Sequence, residues 1–262
     1  MSRSPVALTV AGSDPSGGAG IQADLKVFHQ FGVYGEAAIA AITVQNSLGV
    51  SHVEPLAPSL VARQIRSVLE DIPPAAVKTG ALGSAANVLA ISGLAREFGF
   101  PLVVDPVMTG SHGGTLLSDD ALPALLDHLL PLATLVTPNL YEAFALTGID
   151  ITGPSAMRAA AERIVSAGAK AVLVKGGHLE GAPTDVLLYD GQWFEFGSER
   201  IATSHTHGTG CVYSAAITAG LALGRSLPDA VKTARAWVTE AIRTNPGLGS
   251  GSGPLNLFAE TL

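Results

Sequence analysis

The residues able to do chemistry in this 262-residue chain lie in six short segments, each where an apolar, β-prone run gives way to a polar loop. His207-Gly208-Thr209-Gly210-Cys211 opens a long Ala-rich segment. Glycines at a helix start leave consecutive amide N–H groups pointing at one spot, a nest for a phosphate. Cys211 would then sit in the first turn, where the helix dipole lowers a thiol's pKa; the alternative is a small, inert, buried hydrophobe. Lys175-Gly176-Gly177 sets an ammonium beside glycines that admit a phosphate, or is a solvated lysine in a turn. Asp105-Pro106-Val107 ends an apolar run on a carboxylate, which needs a partner or a cation if buried, unless it caps a turn.

Asn139-Leu140-Tyr141-Glu142 offers a carboxylate that can hold Mg²⁺ through water; the same spacing is that of a helix capping box. Gln45-Asn46 supplies amides suited to reading a polar heterocycle, or to bonding a loop. The stretch from Gly12 to Gly20, GSDPSGGAG, runs from a strand into a helix. It either brings a ligand against the backbone or forms a tight turn. It has neither the Gly-Lys-Ser/Thr of a Walker A loop nor clean G-x-G-x-x-G spacing.

Other chemistries are excluded. A single cysteine makes no internal disulfide and no Cys-based zinc site. His112, His178, His205 and His207 fall in loops without the HxxxH spacing of a metal pair, which points to surface or supporting roles. No G-x-S-x-G elbow is present. A net charge of −7 without Lys/Arg runs argues against a nucleic-acid surface. No stretch approaches the ~18–20 consecutive apolar residues of a membrane span, and the opening apolar run is too short for a signal peptide.

The elements that must position these segments follow from the apolar pattern. Residues 6–11, 38–44, 75–77, 102–105, 134–137 and 171–174 read as strands, apolar throughout and so covered on both faces. Helical patterns cover 20–31, 58–71, 85–98, 119–130, 155–167, 208–223 and 228–243. In 58–71 the apolar face is expected to be Leu60, Ile65, Val68 and Leu69, continuing to Ile72. Strand–helix alternation implies an α/β protein with a mainly parallel sheet. Two β-rich runs around Asp190-Gly191 predict an antiparallel edge hairpin. The Gly/Ser-rich stretch 247–253 reads as a flexible end. A hydrophobic fraction of 47% and a charged fraction of 14% suit one domain over 1–262, expected in the cytoplasm. Ligands in such sheets bind beyond the carboxyl ends of the strands, where the six segments fall.

Together AGSDPSGGAGIQADLKVF, TVQNSLGV, VVDPVM, TPNLYEA, VLVKGGHLEG and THGTGC, in this order and spacing, resemble the hydroxymethylpyrimidine/phosphomethylpyrimidine kinase family of thiamin biosynthesis, within the ribokinase-like superfamily. The resemblance runs from Val6 to about Phe258. It implies a three-layer ribokinase-like fold with a small β element at one edge. It also implies phosphorylation by ATP, with Mg²⁺, of 4-amino-5-hydroxymethyl-2-methylpyrimidine and then of its monophosphate. By the same resemblance Gly12, Asp24 and Gln45 line the pyrimidine pocket with Val107 on its apolar wall. Gly208, Thr209, Gly210 and Cys211 form the anion hole, Cys211 standing where related kinases place an Asp base. Asp105 and Glu142 fall at the metal, and Lys175, Asn139 and Thr209 at the nucleotide phosphates. A homodimer is expected by analogy alone.

Three positions depart from the family pattern. Ala81 stands where many members have Met, and Ser111 and Ser204 where members often have Lys. The lost positive charge predicts a slower second phosphorylation. A pyridoxine or pyridoxal kinase on the same fold is the nearest alternative, with Ala81 leaving room for it; a non-catalytic pyrimidine-binding protein is another.

Overall fold

The computed structural model describes residues 4–110 and 113–261, so Ser111 and His112 lie outside the described residues. Nine strands form one sheet: β1 (Val6–Ser13), β2 (Tyr34–Asn46), β3 (Gly49–Pro55), β4 (Ala76–Thr79), β5 (Leu102–Val104), β6 (Leu135–Val136), β7 (Ala171–Val174), β8 (Thr184–Tyr189) and β9 (Gln192–Gly197). Their spatial order is β3-β2-β1-β4-β5-β6-β7-β8-β9. The run from β2 to β7 is parallel, and the pairs β2–β3, β7–β8 and β8–β9 are antiparallel.

Helices cover both faces: α1 (Gly20–Gln30), α2 (Pro58–Asp71), α3 (Ala85–Ala95), α4 (Ala121–Ala124), α5 (Leu140–Thr147), α6 (Pro154–Ser166), α7 (Thr209–Ala222) and α8 (Leu227–Arg243). After α4 the chain continues through a π turn, Leu125–Leu129, and a 3-10 turn, Leu130–Leu132. The central strands are apolar throughout because their alternate residues enter two cores. Leu8, Val10, Val104, Val172 and Val174 pack with α2–α6, whereas Ala7, Val103, Ala171 and Leu173 pack with α1, α7 and α8 around Phe28, Tyr213 and Trp237. Among the described residues, no helix is long and apolar enough to cross a membrane.

The expected hairpin is β8–β9, turning at Asp190 and Gly191. Both have positive φ, 50° and 69°, the left-handed geometry of a type I′ turn. The other sheet edge carries a strand the apolar pattern misses. β3 has the sequence GVSHVEP and is half-exposed, so it shows no buried run. On α2 the buried side chains are Val61, Ala62 and Ile65, while Leu60 and Ile72 are 44% and 40% exposed, so the expected apolar face is rotated. The glycine-rich stretch is not a free end. The Gly251 amide donates to Ser47 Oγ and the Gly253 amide to His205 Nδ1, and Leu255, Leu257 and Ala259 beyond it enter the core.

Strand order turns back at β1, with β2 on one side and β4 on the other. α1, which follows β1, covers one face, and α3, which follows β4, the other. Such a switch point opens a crevice at the strands' carboxyl ends, and Gly12, Ala81, Asp105 and Gln45 come to that end.

Candidate active site

Lys175, directly after β7, is the positive charge of the crevice. Its Nζ lies 3.0 Å from Asp105 Oδ1, and 3.3 Å from where a Cβ on Gly210 would stand. Asp105, directly after β5, also accepts the Thr137 hydroxyl on Oδ1 at 2.9 Å and the Ser214 hydroxyl on Oδ2 at 3.1 Å. Burial pushes its carboxyl up, but Lys175 and Lys78 outweigh burial and hold it below the usual carboxylate range. As placed, Asp105 anchors Lys175, has both oxygens hydrogen-bonded and is 1% exposed. Burial would strip the Lys175 proton, but Asp105 and Glu142 hold the pKa above its ordinary value.

α7 aims its N-terminus at the same place. Its N-cap Gly208 has φ +79°, and a Cβ there would stand 1.9 Å from Gly18 O, so only glycine fits. Thr209 turns back on the loop, its amide and hydroxyl both donating to Thr206 O; as placed, its hydroxyl is engaged away from any phosphate. Helix geometry leaves the Gly210 and Cys211 amides without intrahelical partners, and no side chain caps them. Two adjacent N–H groups at a helix start near Lys175 Nζ are an arrangement able to bind an anion.

The expected lowering of the Cys211 thiol pKa is overturned. Burial pushes it up to about 11; Lys78 pulls it down, but Asp105 and Asp24 add to the rise. A thiol in that state holds its proton at neutral pH, so as placed the Cys211 thiol is not ionised. The Gly20 amide donates to its sulfur, so the α1 and α7 starts meet there. Gly20 has φ +58°, and a Cβ on it would stand 2.4 Å from Gly12 O.

Asp24 does not open onto the crevice. Both its oxygens bond Lys78 Nζ, at 2.8 and 2.9 Å, and Oδ2 also accepts the Thr9 hydroxyl at 2.6 Å. Asp24 and Lys78 are 0% exposed. Asp24, expected in the pyrimidine pocket, is placed as a buried anchor joining α1 to β4 and β1.

Asn139 and Glu142 form the capping box that their spacing allowed. Glu142 Oε2 accepts the Asn139 amide at 2.7 Å, and Asn139 Oδ1 accepts the Glu142 amide at 2.9 Å. Burial raises the Glu142 pKa to about 7; Lys175 pulls it down and Asp105 pushes it up. Gly12 lines the crevice against Ala81, 3.6 Å from a Cβ built on it, and Val107 is half-buried. Thr109 bridges Thr115, and Gly110 and Gly114 pack on Val50 of β3. Gln45, at the end of β2, has its amide 3.2 Å from His207 Nε2, which is 2.8 Å from Asp14 Oδ2.

The family model for phosphomethylpyrimidine kinase matches residues 14–256. The chain belongs to the phosphomethylpyrimidine kinase family. Over 97% of both chains it is 48% identical to the hydroxymethylpyrimidine/phosphomethylpyrimidine kinase of Rhizobium meliloti. Among solved structures, the phosphomethylpyrimidine kinase from Clostridium difficile is 43% identical with TM-score 0.81, the match covering 91% of this chain and 99% of that one. The pyridoxal kinase from Staphylococcus aureus in complex with AMP-PCP is 35% identical with TM-score 0.90, covering 98% and 94%.

Three residues of this phosphomethylpyrimidine kinase site escaped the sequence reading as parts of it. Lys78 had a signal, a charge within the apolar run AVKT, which a strand covered on both faces tolerates only with a partner. Asp14 and His207 stood inside two of the six segments, but their contact, across 193 residues, had no signal.

Proposed function

We propose that this kinase transfers the γ-phosphoryl group of ATP to the hydroxymethyl oxygen of 4-amino-5-hydroxymethyl-2-methylpyrimidine, and then a second to the resulting monophosphate. The observation that carries the chemistry is the approach of Lys175 Nζ to the first turn of α7, beside the free Gly210 and Cys211 amides. Phosphoryl transfer passes through a loose transition state in which positioning and charge stabilisation do most of the work. Here a lysine held by Asp105 and two fixed N–H groups face the developing charge without having to reorganise. The pyrimidine alcohol is favoured by near-full-length identity to kinases named for it.

The residues present suit Mg²⁺ only through water. Asp105 has both oxygens engaged, and Glu142 Oε2 holds the Asn139 amide, leaving Glu142 Oε1 as the carboxylate oxygen to orient hydration of an ion carried by the triphosphate. Such an ion would neutralise phosphate charge.

A second reading, a pyridoxal kinase, draws on the 0.90 TM-score to the Staphylococcus aureus enzyme and on the small Ala81 at the crevice. An ADP-release assay with the pyrimidine alcohol, its monophosphate and pyridoxal decides between them. The pyrimidine reading expects turnover of the first two with kcat/KM at least ~10-fold above that for pyridoxal. A pyridoxal value above the pyrimidine value overturns it.

A further inference from the structure

His207 Nε2 touches two groups that make opposite demands on its proton. Asp14 Oδ2 lies 2.8 Å away and the Gln45 side-chain amide, placed with its nitrogen inward, 3.2 Å away. Among the described residues, every other group bonding the Asp14 carboxylate is a donor: the Ser16 amide and hydroxyl, and the Ala19 amide at 2.8 Å. Burial pushes the Asp14 carboxyl up, but the bonds from His207 and Ser16 outweigh it and hold it below the ordinary range. Asp14 is thus an acceptor only, and the proton of its contact with His207 belongs to Nε2.

That fixes the neighbouring amide. The two ends of a glutamine amide occupy nearly the same space, and hydrogen-bond chemistry chooses between them. An Nε2–H cannot face the Gln45 NH₂, which is also a donor. It faces the carbonyl Oε1, shared with Asp14, and the NH₂ is turned away. Gln45 stands at the carboxyl end of β2, half-buried, beside the crevice, so the outward end of its amide is the one a substrate meets.

The geometry points to the Asp14–His207 pair as a positioning device that makes Gln45 a hydrogen-bond donor to the substrate, so that the enzyme selects a heteroaromatic ring by an acceptor nitrogen. The substrate part rests on the pyrimidine-kinase reading; the proton placement does not. The pair also ties recognition to transfer. His207 immediately precedes the α7 N-cap, and its Cδ2 stands 2.8 Å from a Cβ built on Gly18, so it braces the Gly12–Gly20 loop against the anion hole.

Two measurements on the full chain test this. First, long-range ¹⁵N NMR of the imidazoles without substrate reports which His207 nitrogen carries hydrogen. Protonated Nε2 is expected in the wild type, and an unprotonated Nε2 overturns the proposal whatever the enzyme phosphorylates. Second, kcat and KM are measured for the pyrimidine alcohol and for its analogue with C–H in place of the ring nitrogen next to the amino-bearing carbon. The wild type should prefer the pyrimidine by ~10–100-fold, chiefly in KM. Asp14→Asn frees the imidazole proton to move to Nδ1 and the amide to turn, and should cut the preference to about 3-fold or less. Gln45→Glu, an acceptor only, should abolish it even if Asp14→Asn does not fold. A preference unchanged in Gln45→Glu overturns the proposal. Absence of turnover with either compound in the wild type refutes the pyrimidine-kinase reading instead, and the NMR result still decides the orientation of Gln45.

Discussion

Lys78 on β4 and Asp24 on α1 form an ion pair at 2.8 Å with both side chains wholly buried, near enough for both charges to act on the Cys211 thiol. Two charges so far from water are tolerable only together, and even so burial outweighs Lys78 and leaves the Asp24 carboxyl above its ordinary range. Asp24 holds the Lys78 pKa above its ordinary value despite burial. Removing one partner by Lys78→Met should therefore cost about 3–5 kcal/mol of stability, read from urea unfolding. Replacing both, as Lys78→Met with Asp24→Leu, should recover most of it. Activity separates the roles: if the pair only fastens α1, the double variant keeps turnover. If its charge also serves the anion hole, kcat stays depressed after stability returns.

The Cys211 backbone N–H, rather than its thiol, is expected to serve the site. With the thiol pushed up to about 11, less than one molecule in a thousand is a thiolate at pH 7.5. Cys211→Ala should keep kcat within ~10-fold of wild type, since the N–H remains. Cys211→Pro removes that N–H in the first turn, where proline is tolerated, and should lower kcat by roughly 10²–10³. Alkylation by iodoacetamide should be slow at pH 7.5. Loss of activity in Cys211→Ala as deep as in Cys211→Pro would return the thiol to the mechanism.

How much was legible in advance follows from what is local. The Asn139–Glu142 box, the Asp190-Gly191 turn and the glycine start at Gly208 depend on neighbours in sequence and could be read from spacing. The parallel sheet was legible because burial on both faces leaves continuous apolar runs such as Ala171–Val174. What could not be read depends on contacts the chain pattern does not encode. Asp24 looks like one polar residue on a helix until Lys78 arrives from β4. The Cys211 dipole effect is local, whereas the burial that overrides it comes from packing. The GLGSGSG stretch has a linker's composition and is held by Ser47 and His205 from two distant turns.

Glu142 predicts the pH dependence. Burial raises its pKa to about 7, so below that pH the carboxyl is protonated and binds a hydrated cation poorly. Activity at limiting nucleotide should fall as pH drops through about 7, with a slope approaching one. Glu142→Gln should flatten that limb at a lower plateau. The stability sign is opposite. The folded form holds this proton to higher pH than the unfolded chain, so in the absence of nucleotide its contribution is full near pH 4.5 and is lost as pH rises through about 7. Thermal melts at pH 5.5 and 8.0, wild type against Glu142→Gln, check it.

The second phosphorylation brings a substrate monophosphate against a triphosphate, so positive charge near the α7 loop governs it more than the first. Ser204 is exposed in the loop leading to that helix, two residues before Thr206, whose carbonyl receives the Thr209 hydroxyl. A lysine at this position has solvent room and reach. Its ammonium favours a dianionic substrate by about 1 kcal/mol at moderate ionic strength, as partly screened charges do. Ser204→Lys should therefore raise kcat/KM for the monophosphate by ~3–10-fold while changing that for the neutral alcohol less than 2-fold, and the gain should shrink as salt rises. Steady-state kinetics on both substrates at 20 and 300 mM salt make the comparison. Equal gains on the two substrates, or a gain indifferent to salt, would mean that charge at position 204 does not limit the second transfer.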